Sequence, residues 1–250
     1  MSPHNPSSKA KIVVFTDLDD TLIQTKRKLP QGALTTLGAT DRDNNPLSFF
    51  TQSQSILLDM FVNSGASIIP ITGRNTDALN RVEYNFQSFR SVSHGAVVLK
   101  DNNTVCQNWL NEIEPLLQDW PNHLEACNKE IEDIIKAHQL DARTRVIIDM
   151  DIPAYISVKG NEHDLAIIKQ HNLLGQAFNR HENGRNHALL PPYASKKKAV
   201  DYIKKELGIT VNDLVIGIGD SLSDLPFMSR CQFSMLPTQS QIAQELLYVE

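Results

Sequence analysis

The sequence has few of the residues that mark a disulfide-stabilised, membrane or nucleic-acid-binding protein. Its 3 cysteines, Cys106, Cys127 and Cys231, lack the close spacing of a disulfide framework or a thiolate metal site, so we expect reduced, structural cysteines. No apolar run approaches the roughly 18 residues of a membrane span. With 24 basic against 29 acidic residues, the net charge of −5 disfavours nucleic acids and anionic membranes as partners.

The first ten residues, MSPHNPSSKA, are not followed by an apolar segment long enough for a signal peptide. We therefore expect a cytoplasmic protein that acts on a small molecule, as a monomer or a small homo-oligomer. The composition, 41% hydrophobic and 21% charged over 250 residues, is that of a folded protein of one to two domains.

Short β-branched runs that end in polar residues indicate a buried parallel sheet. Residues 11–16, 67–71 and 214–219 are such runs. Residues 24–46, rich in Thr, Asn, Asp and Gly, are expected to form a flap or loop. Helices are expected around Ile56, Leu57, Met60 and Phe61, and from residue 75 to about 89. This alternation predicts an α/β fold with a Rossmann-like, doubly wound parallel sheet.

The middle of the chain has a different pattern. A helix is predicted at residues 124–138, followed by strands at 145–150 and 154–158, a helix at 161–171 and a hairpin centred on Gly184. The first pattern returns with a helix that Gly208 ends. We therefore predict a discontinuous core, residues 1–106 and 189–250, interrupted by an inserted α+β domain at 107–188.

Asp17 and Asp19 lie two residues apart where the first strand ends, at the edge where open α/β sheets bind ligands. Packing these carboxylates together is costly without a cation, and a hard divalent ion such as Mg²⁺ suits oxygen ligands. An EF-hand is excluded because Leu22 stands at the glycine position and Lys28 at the position of the bidentate glutamate. A surface acidic turn is the alternative reading.

Three more clusters follow at strand or helix ends. Asp220 and Asp224 come after the strand at 214–219 and are expected on the first turn of the next helix, although Asp220 could simply cap it. Thr72, beside Gly73, offers a hydroxyl and free amides to an anion, or simply caps a helix. Residues 196–198 are lysines, of which one could hold a phosphate while the others form a solvated face.

The order of these motifs, Asp-x-Asp-x-Thr, Thr-Gly-Arg, Ser-Lys and Gly-Asp-Ser-x-x-x-Asp, resembles the haloacid dehalogenase superfamily of aspartyl-phosphate phosphatases. The insertion between the Thr and Lys motifs is similar to the second type of cap in this superfamily, shared by sucrose-phosphate, mannosyl-phosphoglycerate, trehalose-phosphate and Cof-like phosphatases. The resemblance covers about two thirds of the chain. It implies a Mg²⁺-dependent phosphomonoesterase.

The resemblance also implies roles for single residues. Asp17 would be the nucleophile and Asp19 the acid and base, while Asp17, the Asp19 backbone carbonyl, Asp220 and Asp224 would hold Mg²⁺. Thr72 and Lys196 would hold the phosphoryl oxygens. Lys197 stands where the family has glycine, which keeps Lys198 as a rival to Lys196. The motifs also place three residues beside the substrate, namely Thr21, Gly73 and Arg74.

The substrate specificity would come from the inserted cap. Its candidate contacts are polar residues near the edges of the cap, Arg143, Lys159, Arg185, Asn186 and His187. The few aromatic residues there favour a sugar phosphate or glycosyl phosphate over a nucleotide, which needs a stacking platform. A nucleotide or phosphoglycerate phosphatase and a phospho-acceptor regulatory protein are the alternatives. His94 is interpreted as a structural residue.

Overall fold

The computed structural model describes residues 10–171, 173 and 178–247 of the chain, so the expectation about the first residues lies outside the described residues. The strands are β1 (Ile12–Thr16), β2 (Gln24–Thr25), β3 (Thr35–Thr40), β4 (Pro46–Thr51), β5 (Ser67–Pro70), β6 (Arg90–Val92), β7 (Val97–Leu99), β8 (Ala142–Asp149), β9 (Ile152–Gly160), β10 (Asn179–Asn183), β11 (Asn186–Leu190), β12 (Leu214–Ile218) and β13 (Phe233–Met235). The α-helices are α1 (Gln52–Asn63), α2 (Thr76–Leu79), α3 (Gln107–Leu117), α4 (Trp120–Ala137), α5 (Glu162–Gln170), α6 (Lys196–Glu206), α7 (Leu225–Met228) and α8 (Gln241–Leu247).

Contacts within the chain define two compact units. The first combines Met1–Pro70, Arg81–Phe89 and Val200–Glu250, and the second combines Ile71–Asn80 and Arg90–Ala199. Each unit is therefore assembled from separate stretches of sequence. The division into a core at 1–106 and 189–250 and an insertion at 107–188 stays a prediction.

The first unit is built on the predicted parallel sheet, with strand order β13-β12-β1-β5. The central strand β1 pairs with β12 on one side and β5 on the other, in register Phe15 with Gly217 and Ile69. Val14 and Phe15 are fully buried. Such burial explains why β1 reads as a continuous apolar run, since a parallel sheet covered on both faces has no solvent side.

The segment at residues 24–46, expected to be a flap or loop, contains two strands and enters a third. β2, β4 and β3 form an antiparallel sheet in that order. The turn between β3 and β4 is closed by Asp41, whose Oδ1 accepts hydrogen bonds from the amides of Asp43 (2.8 Å) and Asn45 (2.9 Å). This Asx-type turn chemistry brings the two strands together, and the polar composition alone did not reveal it.

The helix predicted from residue 75 to about 89 is also wrong. α2 ends at Leu79, and the chain then lies against β3 within the first unit. The Thr40 amide donates to the Arg81 carbonyl at 3.1 Å, and the Glu83 amide donates to the Gly38 carbonyl at 2.8 Å. Pairing with a distant strand therefore replaces the helix that local apolar spacing suggested.

Helix α1 begins at a capping box in which the Thr51 hydroxyl accepts from the Gln54 amide and the Gln54 side chain accepts from the Thr51 amide. Its buried residues are Leu58 and Phe61, whereas Ile56 is 61% exposed. The predicted helix is confirmed, but Ile56 and Met60, which is 56% exposed, do not lie on its buried face.

We expect Leu58→Ala to lower the free energy of unfolding by about 2–5 kcal/mol, because it leaves a cavity beside the parallel sheet. Ile56→Ala removes a side chain of the same size from solvent and should change it by less than about 0.5 kcal/mol. Urea unfolding of the two variants measures the difference. Equal losses would contradict the burial pattern of α1.

The second unit contains the predicted α+β module, whose four-stranded antiparallel sheet has the order β10-β11-β9-β8. One face of this sheet packs against α4 and α5 around a buried cluster: Leu124, Cys127, Ile131, Ile134, Ile156, Val158, Leu165, Ile168, Leu173, Phe178 and Leu189. β8 and β9 are joined by a tight turn in which Met150 and Asp151 both have positive φ. A separate two-stranded sheet, β6-β7, belongs to the same unit.

Within the described ranges, the helices are too short or too polar to cross a membrane. No disulfide joins the three cysteines, all of which the structure describes. Burial raises the pKa of the Cys127 thiol to about 12 and that of Cys231 to about 11, so both stay protonated near neutral pH.

Candidate active site

Asp17 and Asp220 lie at one edge of the parallel sheet because they follow two neighbouring strands. β1 and β12 end level with each other, Thr16 opposite Ile218, and the Asp17 amide donates to the Ile218 carbonyl at 2.8 Å. The carboxyl ends of both strands therefore deliver an aspartate to the same place, as predicted for open α/β sheets.

Asp224 joins them, so that three carboxylates form one cluster. One oxygen from each of Asp17, Asp220 and Asp224 lies within 4.8 Å of the others. Asp17 is 7% exposed and Asp224 is fully buried. Like charges this close and this buried repel strongly unless a cation or a proton compensates them.

The turn after β12 holds Asp224 in place. Oδ2 of Asp224 accepts from the Ser221 hydroxyl at 2.8 Å, from the Ser221 amide at 3.1 Å and from the Asp220 amide at 3.3 Å. Asp220 precedes the 3₁₀ turn Leu222–Asp224 and Asp224 ends it, so the two do not share the first turn of an α-helix as expected. These three bonds to one oxygen fix the orientation of the Asp224 carboxylate.

Two more residues shape the acidic cluster. The Thr21 hydroxyl donates to Oδ1 of Asp220 at 3.2 Å, which ties the loop after β1 to the loop after β12. Gly219 passes so close to Asp224 that a Cβ at residue 219 would lie 2.5 Å from the Asp224 Cβ. Glycine is therefore needed at residue 219 for steric reasons.

The cluster fits a hard divalent cation. Its ligand atoms are all carboxylate oxygens, the type that Mg²⁺ prefers, and the buried charges of Asp17 and Asp224 need compensation. Asp19 is half-buried in the tight turn after β1, bridged to Ile23. Asp20, in the same loop, forms an ion pair with Lys28 instead of joining the cluster.

A second group of predicted residues, Thr72, Gly73 and Arg74, lies in a loop of the second unit. The Thr72 side chain is buried, and its hydroxyl accepts from the Arg74 amide at 3.1 Å. The Thr72 carbonyl accepts from the His94 amide at 3.0 Å, and the Arg74 carbonyl accepts from the Ser93 amide at 2.7 Å. Residues 93 and 94 therefore fix the backbone of the loop at 72–74.

Residues 93–95 have unusual backbone geometry. Ser93, His94 and Gly95 have φ of 50°, 58° and 94°, a left-handed run that is costly for the first two residues. Asp149, itself buried, holds the run by accepting from the Ser93 hydroxyl at 2.6 Å and from the Thr76 amide at 3.0 Å.

The left-handed run touches two chain segments. A Cβ on Gly73 would lie 2.6 Å from the His94 ring, and a Cβ on Gly95 would lie 2.4 Å from the carbonyl oxygen of Ser195. The run therefore packs against both the loop at 72–74 and the residue that precedes Lys196.

Solved structures resemble this chain over most of its length. A haloacid dehalogenase-like hydrolase from Bacteroides thetaiotaomicron superposes with a TM-score of 0.53 at 14% identity, covering 94% of this chain and 98% of that one. The chain has the haloacid dehalogenase-like fold. The C-terminal domain of Candida albicans trehalose-6-phosphate phosphatase matches with a TM-score of 0.57 at 14% identity, covering 88% of this chain and 73% of that one.

An IMP-bound IMP-nucleotidase from Plasmodium falciparum has the same fold, with a TM-score of 0.55 and 13% identity over 94% of this chain and 66% of that one. Comparison of the sequence with family models and with curated proteins finds no match. The predicted fold class, an α/β Rossmann-like core with an α+β module, is confirmed by these structures.

Among the three lysines that begin α6, the structure distinguishes Lys196. It is half-buried, and its charge contributes to lowering the pKa of His94. Lys197 and Lys198 are exposed, and the Lys198 ammonium donates to the Pro192 carbonyl at 2.9 Å. These environments favour Lys196 over Lys198 as the lysine that holds an anion, and its role stays a prediction.

The predicted cap residues Arg185, Asn186 and His187 lie at the turn and start of the hairpin β10–β11. Arg185 and Asn186 are exposed, whereas His187 is half-buried. Burial lowers the pKa of His187, and Glu182, directly opposite it, works against this shift. These three residues are not brought together with Thr72 by any contact that the structure gives, so their role in specificity stays a prediction.

Sequence reasoning missed two aromatic neighbours of the loop at 72–74. The Tyr155 hydroxyl donates to the Gly73 carbonyl at 3.5 Å, and the Tyr155 ring meets the His94 ring edge-on with centroids 4.9 Å apart. The His181 ring lies 5.0 Å from His94. No motif marks these residues, which lie on β9 and β10 and meet His94 only in the folded unit.

His94 should make the stability of the fold depend on pH. Burial, and then its neighbours His181 and Lys196, hold the pKa of His94 well below 6.5. Below about pH 6.5 the unfolded chain binds a proton at His94 that the folded chain does not. The free energy of unfolding therefore decreases as the pH is lowered, by up to about 1.4 kcal/mol per pH unit.

The variant His94→Asn should show a shallower loss, since asparagine tolerates positive φ and does not titrate in this range. Urea unfolding at pH 7.5, 6.5 and 5.5 measures both slopes. Identical slopes in the wild type and the variant would contradict a neutral His94.

Proposed function

We propose that this chain is a Mg²⁺-dependent phosphomonoesterase of small metabolites, with sugar phosphates or glycosyl phosphates as its substrates. The observation that carries the proposal is the cluster of Asp17, Asp220 and Asp224 at the carboxyl edge of the parallel sheet. A trehalose-6-phosphate phosphatase of the same fold supports a sugar as the leaving group. An IMP-nucleotidase of the same fold keeps a nucleotide as the second candidate.

In the proposed reaction, a carboxylate oxygen of Asp17 attacks phosphorus in line and the bond to the ester oxygen breaks. The Asp19 carboxylic acid gives its proton to the leaving alkoxide. The Asp19 carboxylate then takes a proton from water, which attacks phosphorus and breaks the bond to Asp17. The products are an alcohol and inorganic phosphate, and both aspartates return to their starting states.

The other residues in the proposal hold groups in place. The Thr72 hydroxyl, the Gly73 amide and the Lys196 ammonium would bind phosphoryl oxygens, with Thr21 and Arg74 close by. Asp17, Asp220, Asp224 and the Asp19 carbonyl would hold Mg²⁺, which neutralises charge on the phosphoryl group when bound. The hydrogen bond from the Thr21 hydroxyl to Asp220 supports this arrangement.

The inserted cap at 107–188 would select the leaving group, with Arg185, Asn186 and His187 as proposed contacts. We further propose a cytoplasmic protein that acts as a monomer or small homo-oligomer.

The proposal predicts release of phosphate from 4-nitrophenyl phosphate in Mg²⁺ and its loss, by at least about a hundredfold, when a chelator is added. Re-addition of Mg²⁺ should restore turnover. A panel of phosphorylated sugars, glycosyl phosphoglycerates and nucleotides, ranked by kcat/KM, then identifies the substrate class. No turnover across the panel would refute the proposal, and stable phosphorylation of the chain without turnover would favour a phospho-acceptor protein.

A further inference from the structure

One face of the antiparallel sheet in the second unit carries a group of cations. Directly paired residues of antiparallel strands share a face. Arg143 on β8 lies opposite Lys159 on β9, and Arg145 lies opposite Ser157. All three cations are exposed, while the other face of the sheet packs against α4 and α5. We call Arg143, Arg145 and Lys159 the basic row.

The basic row has no partner of opposite charge in the part of the chain that the structure describes. Across residues 10–171, 173 and 178–247, none of its three side chains makes an ion pair or a hydrogen bond. Like charges placed opposite each other destabilise an antiparallel pair. Burial, followed by Arg143 and Arg145, lowers the pKa of Lys159. Unpaired cations that share one face can together bind an anion.

The same face leads to the loop at 72–74. Tyr155 lies on β9 two and four residues before Ser157 and Lys159, so it shares their face. Its hydroxyl donates to the Gly73 carbonyl. Two residues of a strand span about 7 Å, which places the basic row roughly 7–14 Å from Tyr155 along the strand. This separation is that of the two ends of a small metabolite.

We propose that the basic row is a second anion site, which binds a phosphate or carboxylate at the far end of a substrate whose reacting phosphoryl group is held by residues 72–74. The proposal rests on the phosphatase function and narrows its substrates to esters with two anionic ends, such as sugar bisphosphates and phosphorylated sugar acids. Two guanidinium groups suit this role because each can bind an oxyanion through two parallel hydrogen bonds.

Calorimetric titration of the full chain in chelator, where no turnover is expected, tests the proposal with matched ligands. Fructose 1,6-bisphosphate should bind at least about tenfold more tightly than fructose 6-phosphate. The affinity for 6-phosphogluconate, compared with that for glucose 6-phosphate, measures the contribution of a carboxylate in the same way. The two pairs therefore distinguish a phosphate from a carboxylate at the far end of the ligand. Equal affinities within both pairs would overturn the proposal.

Substitutions in the basic row test whether these residues cause the preference for ligands with two anionic ends. Arg143→Ala, Arg145→Ala and Lys159→Ala should each reduce the preference about three- to tenfold, and Arg143→Lys should retain part of it. Lys136→Ala, which removes an exposed cation from α4, is the control and should leave the preference intact. A preference that survives all three alanine variants would overturn the assignment to the basic row, and circular dichroism confirms that each variant is folded.

Turnover of 4-nitrophenyl phosphate in Mg²⁺ is measured on the same proteins. Turnover without a preference for ligands with two anionic ends would refute the anion site at the basic row but not the phosphatase function. A preference without turnover would refute the phosphatase function and leave an anion-binding site.

Discussion

Asp17→Asn is expected to abolish Mg²⁺-dependent phosphate release, with kcat falling by at least about a thousandfold, because an amide cannot serve as the attacking nucleophile. Asparagine keeps the size of the side chain beside β12, so the fold should persist. It also removes one of three negative charges from a buried cluster, and the stability without metal should therefore stay level or rise.

Asp20→Asn is the matched control for this experiment. It makes the same chemical change three residues away, at a position whose φ of 62° asparagine tolerates. It removes the ion pair with Lys28, while the amide oxygen can still accept from Gln24 and Thr25. Its kcat should lie within about threefold of the wild type, since Asp20 pairs with Lys28 and does not join the acidic cluster. Equal losses in Asp17→Asn and Asp20→Asn, or full activity in Asp17→Asn, would exclude Asp17 as the nucleophile.

Gly219→Ala is the change expected to damage the acidic cluster most without altering an acid. The new methyl group would lie 2.5 Å from the Asp224 Cβ and 2.9 Å from the Met228 sulfur, so the turn after β12 must shift. Overpacking of this kind costs about 1–3 kcal/mol of stability. A displacement of about 1 Å at a reacting centre can lower turnover about a hundredfold.

Gly65→Ala separates this local displacement from a general loss of stability. Gly65 has a φ of 78° and open space around its Cα, so alanine there costs stability through the backbone alone. Urea unfolding and kcat measured on both variants should show destabilisation in each but loss of turnover in Gly219→Ala only. Normal turnover in Gly219→Ala would mean that the position of Asp224 is not critical.

The parts of the fold that the sequence predicts are those whose signals are local. The β-branched run of β1 and the Gly208 that follows α6 need no distant partner to be read, and both occur as expected. Residues 81–89 fail for the opposite reason. Their apolar spacing is helical, but Arg81 and Glu83 hydrogen-bond to Thr40 and Gly38, about forty residues away in sequence, and Val82 forms a bridge with Ala39 instead of a helical turn.

The candidate site likewise contains residues that the sequence predicts and residues that it does not. Asp17 and Asp220 are predictable because parallel strands end at one edge of a sheet, a general rule that needs no coordinates. Tyr155 and the basic row depend on the register of β8 with β9, in which a slip of one residue would turn each side chain to the other face. The sequence contains both strands but does not state their register.

The left-handed run at residues 93–95 bears on how relatives of this chain can be found. At 11–14% identity, the overall sequence of such structures carries little signal. Steric exclusion at a single position does not depend on overall identity, because a Cβ at residue 95 would lie 2.4 Å from the carbonyl oxygen of Ser195 in any chain with this contact. We therefore expect a local pattern to identify distant homologues better than global similarity does. The pattern is a glycine preceded by a residue with positive φ, about a hundred residues before the Ser-Lys pair.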